Sequence, residues 1–147
     1  MATLINDEQN INFTIDFLKR IKDTIIINDE SETFIPFILK LVTPEKMYNT
    51  DKFVMSVREI KYLIENLNHV LHVSHQEDYT FDYYNSEALF EMIVSFLSED
   101  LLIEIMIWIN IGALNNGDKY GYDEGYRFIV DLDTFEKFVI QLERESK

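Results

Sequence analysis

Histidine occurs three times, always three residues apart: His69, His72 and His75. Side chains three apart on a helix are neighbours. His69 and His72, with Glu65 one turn earlier, could therefore hold a divalent metal. The His-Glu-x-x-His spacing is absent, however, and His75 falls past the expected helix end, so solvated histidines are the better reading and no metal is expected. A second group lies at 115–126, Asn-Asn-Gly-Asp-Lys-Tyr-Gly-Tyr-Asp-Glu-Gly-Tyr. Asp118, Asp123 and Glu124 offer oxygens to calcium, but the alternating acids and terminal Glu of an EF-hand are missing. Tyr120, Tyr122 and Tyr126 suit a recognition loop instead, because tyrosine gives large contact area at low entropy cost while Gly and Asn adapt around it. A plain connection between strands reads equally well.

Glu91 and Glu104 form a third group. Two carboxylates can act as acid and base in glycoside hydrolysis, but that chemistry needs a cleft that separates their pKa values. Beside Leu102, Met106 and Trp108 they read better as a partner surface, apolar anchors ringed by charge. The competing reading buries this face under the segment 42–56. No phosphate loop, nucleophile elbow or Ser/His/Asp pattern stands out. The sequence thus points away from an enzyme and calls for no cofactor. The expected partner-binding residues are Glu91, Glu104, Met106, Trp108, Asp118, Tyr120, Tyr122, Asp123 and Glu124.

The 147 residues carry 13 Lys+Arg against 27 Asp+Glu, a formal net charge of −14. Such a field repels nucleic acid and anionic membranes and attracts cationic proteins. Acidity alone also serves solubility, but the distribution is uneven. From Tyr62 to Asp118 there is no Lys or Arg, while ten acids fall in that stretch. Cysteine is absent, which excludes disulfides and thiolate chemistry and suits the reducing cytoplasm. The opening residues lack the basic and apolar regions of a signal peptide. The most apolar stretch, 101–114, contains Glu104 and Asn110 and is too short to span a membrane. Length and a 47% hydrophobic content fit a single domain over 1–147.

The elements that must position these groups follow from periodicity. Strict alternation over 11–17 predicts a strand, and 24–27 a second. A third covers 33–42, pushed by Pro36 toward a sheet edge or a bulge. Ser56-Val57-Arg58-Glu59 reads as a capping box. Behind it, Ile60, Leu63, Ile64, Leu67, Val70 and Leu71 predict a helix over 57–73. Strands are expected at 79–84, 89–97, 101–111 and 126–130. If the turn between 97 and 101 holds an even number of residues, as with Glu99-Asp100, Phe90, Met92, Val94, Phe96, Ile103, Ile105, Ile107 and Ile109 share one apolar face. The opposite face is then amphipathic, and Trp108 on it is at least partly exposed. An odd turn would mix the two sets. The glycine-rich segment 115–125 reads as a loop. Asp133-Thr134-Phe135-Glu136 predicts the cap of a closing helix striped by Phe135, Phe138, Val139 and Leu142. Short connections imply antiparallel pairing. The fold is expected to be two-layer α+β, a mostly antiparallel sheet of about six to seven strands with two amphipathic helices on one face.

Function is read from charge and surface. A small acidic protein with exposed aromatics suits a cationic target such as a nuclease or toxin domain, and complementary charge speeds capture. The element order also resembles the WapI-like immunity proteins of bacterial polymorphic toxin systems. The resemblance is carried by the strands from Phe13 to Leu18 and Phe34 to Leu41, the helix from Val57 to Leu71, and the acidic hairpin through Leu101-Leu102-Ile103-Glu104-Ile105. Tyr126-Arg127-Phe128-Ile129-Val130 and the helix from Thr134 to Glu143 complete it. Thr33-Phe34-Ile35 replaces the family's Asn-Trp-Leu-like segment. The resemblance implies non-catalytic binding and neutralisation of a cognate toxin and assigns no residue. The alternative is a phage- or mobile-element-encoded DNA mimic whose carboxylates imitate phosphates. Neither reading involves direct contact with nucleic acid or membrane, and a homodimer through the amphipathic face stays open.

Overall fold

A computed structural model describes residues 1–18, 23–27, 30–50, 53–73, 76–116 and 122–146, with the side chains of 23–27, 30–32 and 115–116 left out of the description. The described residues form ten strands and three helices, an α+β fold in which every strand pair is antiparallel. The first sheet contains β1 (Ala2–Asn6), β2 (Ile11–Phe17), β3 (Asp23–Ile27), β4 (Glu30–Val42), β5 (Met47–Asn49) and β6 (Phe53–Ser56). After helix α1 (Val57–His72), the second sheet runs β10-β9-β8-β7, from β7 (Tyr79–Tyr84), β8 (Phe90–Leu97), β9 (Leu102–Asn110) and β10 (Asp123–Asp131). Helix α2 (Ile111–Asn116) follows β9, and α3 (Leu132–Glu145) closes the fold.

β4 is the spine of the first sheet. Its residue Phe37 pairs with Phe17 of β2 on one side and Phe53 of β6 on the other; Phe34 likewise lies between Asp23 of β3 and Ser56 of β6. β2 and β3 therefore run along the same edge of β4, and among the described residues their ladders are interrupted opposite Ile35 and Pro36. Leu18 N–H donates to the Pro36 carbonyl at 2.8 Å, so the missing N–H of Pro36 would also have faced that interruption. The proline thus sits neither on an edge strand nor in a broken ladder with β6, where Pro36 pairs with Val54, but where β4 passes from β2 to β3. Thr50, buried between β5 and β6, accepts a 3.0 Å bond from Leu39 N–H through its hydroxyl and so fills the break on the opposite side.

The alternation of β8 and β9 sets the second sheet. Leu97 pairs with Leu102, the register of an even turn. Phe90, Met92, Val94, Phe96, Ile103, Ile105, Ile107 and Ile109 are all buried on one face. Burying a side chain of this size stabilises the fold by about 1.5–3 kcal/mol. This face meets the first sheet through Phe90, which packs on Phe13 and Phe37 with ring centroids 6.4 and 6.2 Å away. The rest of it rests on α1 and α3, whose stripes Ile60, Leu63, Leu67, Val70 and Phe135, Phe138, Val139, Leu142 are buried. One continuous buried cluster thus joins both sheets and both long helices.

α1 begins at the expected cap: Ser56 Oγ accepts from Glu59 N–H at 3.0 Å. The Glu59 carboxylate goes elsewhere. It accepts from Tyr83 Oη at 2.5 Å, from Ser86 N–H at 2.9 Å and from Ser86 Oγ at 2.7 Å, tying the helix start to the turn after β7. The cap of α3 lies two residues before the expected one, at Asp131, whose carboxylate accepts from Thr134 N–H at 2.7 Å. No helix among the described residues is long and apolar enough to cross a membrane.

Candidate functional site

Strand pairing fixes which side chains share the outer face of the second sheet. One row across it is Tyr84, Glu91, Trp108 and Gly125; the next is Asp82, Ile93, Met106 and Arg127; the third is Thr80, Ser95, Glu104 and Ile129. Four of the expected partner-binding residues, Glu91, Glu104, Met106 and Trp108, are thereby brought onto one surface. The described residues of the segment 42–56 do not cover it: they build β5 and β6 along β4, and Trp108 remains 36% exposed.

Trp108 lies over Gly125 on the neighbouring strand. A Cβ at Gly125 would stand 2.6 Å from Cε3 and Cζ3 of the indole, too close for any side chain. The glycine thus lets the ring lie flat against the sheet, a pairing in which an aromatic covers strand backbone that glycine leaves bare. On the other side of Trp108 stands Glu91. Its pKa is raised, first by partial burial, then by the charge of Asp82 and a hydrogen bond with it, and then by the charge of Asp123. Asp123 pairs with Asn110 at the end of β10 and shares with Tyr84, Glu91 and Trp108 a small hollow of about 120 Å³. Asp82 and Asp123 thus both act on the Glu91 carboxylate, and Glu91 and Asp123 share the hollow with the exposed indole. Arg127 is the cation among the face's described residues.

Glu91 and Glu104 do not form an acid–base pair. Glu104 stands opposite Ser95, four residues along β8 from Glu91, or roughly 13 Å at strand rise. Glycosidase carboxylates need separations of about 5–9.5 Å across one bond.

The other expected residues fall elsewhere. Asp118 and Tyr120 lie outside the described residues. Tyr122 is exposed just before β10, beside Lys46, Met47 and Leu114. Glu124 turns to the inner side of its sheet, where its carboxylate accepts from the Tyr48 hydroxyl, from Tyr126 Oη at 3.2 Å and from Lys46 Nζ at 3.2 Å. Tyr48 and Tyr126 oxygens are 2.8 Å apart. Tyr126 has its pKa pushed up to about 12, by burial first and then by its bond to Glu124. Glu124 and Tyr126 therefore clamp β10 to β5. Of the histidines, His69 stacks edge-on against Tyr79 at 5.1 Å, and His72 bonds through Nδ1 to the Asn68 carbonyl at 2.7 Å; His75 lies outside the described residues. Among the described residues no three His, Asp or Glu side chains are arranged to hold a metal.

Sequence reasoning did not single out Asp82, Tyr84, Gly125 or Arg127. A strand was expected over 79–84, but only the strand order places Asp82 and Tyr84 on the face of Glu91 and Trp108. The sequence matches no protein-family model and no curated protein.

Proposed function

We propose that the chain is a non-catalytic cytoplasmic binding protein that captures and neutralises a cationic protein, in the manner of an immunity protein acting on a toxin domain. The observation that carries this reading is the outer face of the second sheet. There, Trp108 and Met106 provide apolar anchors, and Asp82, Glu91, Asp123 and Glu104 provide a negative surround. Desolvated aromatic anchors dominate interface energies, and the charges around them steer the encounter. A DNA mimic would use the same carboxylates, but Ile93 and Met106 interrupt their run, whereas a phosphate backbone offers no such apolar gaps.

The test is affinity capture from host lysate at low and then high salt, using the wild type and a Trp108→Ala/Glu91→Lys variant. A cationic toxin or nuclease domain held by the wild type, weakened by salt and lost with the variant, supports the reading. Equal retention by the variant would move the interface elsewhere. Capture of a DNA-binding or defence protein, displaced by DNA, would favour the mimic.

A further inference from the structure

β10 is the last strand of its sheet, and a strand edge with open main-chain groups is a template for another strand. The even residues of β10 turn their N–H and C=O toward β9; just before the strand, Tyr122 likewise accepts from Ile111 N–H on that side. The odd residues, Gly125, Arg127 and Ile129 among them, turn theirs outward. The Ile129 carbonyl accordingly accepts a 2.7 Å bond from the Asn6 side chain of β1 across the seam between the sheets. β1 and β10 form no ladder there, and among the described residues the Arg127 main chain has no partner. Along this edge runs an open groove of about 920 Å³, with Asp7 and Glu8 of the β1–β2 turn on one wall and Glu104, Arg127 and Asp131 on the other. Ile5 and Ile129, 44% and 41% exposed, give it an apolar lining.

We propose that this groove receives an extended, lysine- or arginine-bearing segment of the partner, added as a further strand at the β10 edge. In strand addition, main-chain hydrogen bonds supply affinity and alternate side chains supply specificity. Four carboxylates against one guanidinium select basic side chains, while Ile5 and Ile129 accept the aliphatic ones between them. A second copy of this chain would bring the same acids to the edge, and like charges facing each other are penalised. The groove shares Glu104 with the face described above, and the inference rests on the reading that the partner is cationic.

The probe is a short acetylated and amidated peptide alternating lysine and valine, with a glutamate–valine peptide as control, titrated into the full chain and followed by amide hydrogen exchange. The lysine peptide is expected to bind preferentially and to slow exchange of the Arg127 and Ile129 amides. N-methylation of the peptide's inward-facing amides should weaken it about tenfold or more, as expected when ladder bonds are lost without any change of charge. Glu8→Lys and Glu104→Lys, both outside the core, should weaken the unmodified peptide as well. Equal binding of the N-methylated peptide, or no preference over the control, overturns the proposal. So does protection of the same amides by the chain alone with rising concentration, which would give the edge to a second copy. If the captured partner leaves the Arg127 and Ile129 amides unprotected, the groove is excluded while the cationic-partner reading stands.

Discussion

Gly125 has no side chain, and the indole of Trp108 fills that space. Gly125→Ala must move the ring, because the new Cβ would sit 2.6 Å from two of its carbons. Overpacking of this kind costs about 1–3 kcal/mol. In a Trp108→Ala background the same substitution meets no ring, and alanine suits a strand better than glycine. A double-mutant cycle in urea should therefore show strong coupling; additive effects would mean that the ring does not depend on the glycine. Glu91 gives a second case. Its pKa is raised in the fold, so the protonated form is favoured there, and its contribution to stability is full at low pH and lost as pH rises through the carboxylate range. At neutral pH the ionised group is a net cost. Glu91→Gln should stabilise the protein there by roughly 0.5 kcal/mol or less, given its exposure and screening. The gain should disappear in acid and shrink with salt. If partner binding weakens in the same variant, the strained carboxylate is kept for recognition rather than for the fold.

β10 is tied to the rest of the molecule at both ends, by Asn6 to Ile129 and by the Tyr48–Glu124–Tyr126–Lys46 cluster. Glu124→Ala leaves two tyrosine hydroxyls and a lysine without their acceptor. It should cost about 1–3 kcal/mol and speed amide exchange in β10 and β5 together. The Tyr126 hydroxyl, held protonated to about 12, stabilises the fold up to its ordinary range near 10; that contribution is lost as pH rises from there through about 12. Alkaline unfolding of the wild type should begin in this window and start earlier without Glu124. The cluster was not legible in the sequence, where Tyr48 and Glu124 stand far apart and Glu124 falls in a glycine-rich stretch that suggests a loop. The β8–β9 register was legible, because strict alternation on both strands admits one turn parity. The stripes of α1 and α3 were legible for the same reason. β5 and β6 were not: strands this short carry no period and exist because β4 pairs with them. The division into two sheets was also hidden, since alternation tells which side chains face inward but not which strands share a ladder. For the candidate site, sequence placed Glu91, Glu104, Met106 and Trp108 on one face, whereas Asp82, Tyr84 and Arg127 joined them only through strand order.

A formal charge of −14 on 147 residues gives the whole molecule a negative field, and the long stretch without Lys or Arg places much of it on the second sheet and its turns. Asp82, Glu91 and Glu104 stand on the outer face, and Glu99 and Asp100 at the tip of the β8–β9 hairpin. Charges at this distance from a target act on encounter more than on the bound complex. The association rate with a cationic partner should therefore fall steeply as ionic strength rises past the point where the screening length drops to about 10 Å, while dissociation changes little. Glu91→Lys/Glu104→Lys reverses charge at two half-buried positions on the outer face, outside the core. Its midpoint in urea should stay close to that of the wild type, and its association should be slower by about tenfold or more at low salt, converging with the wild type at high salt. Trp108→Ala should act in the opposite way, leaving association nearly unchanged and raising the dissociation rate. Stopped-flow or surface-binding kinetics on the three proteins separates these contributions. A charge-reversed variant that associates as fast as the wild type at low salt would show that the acidic face does no steering, and an unchanged dissociation rate for Trp108→Ala would remove the indole from the interface.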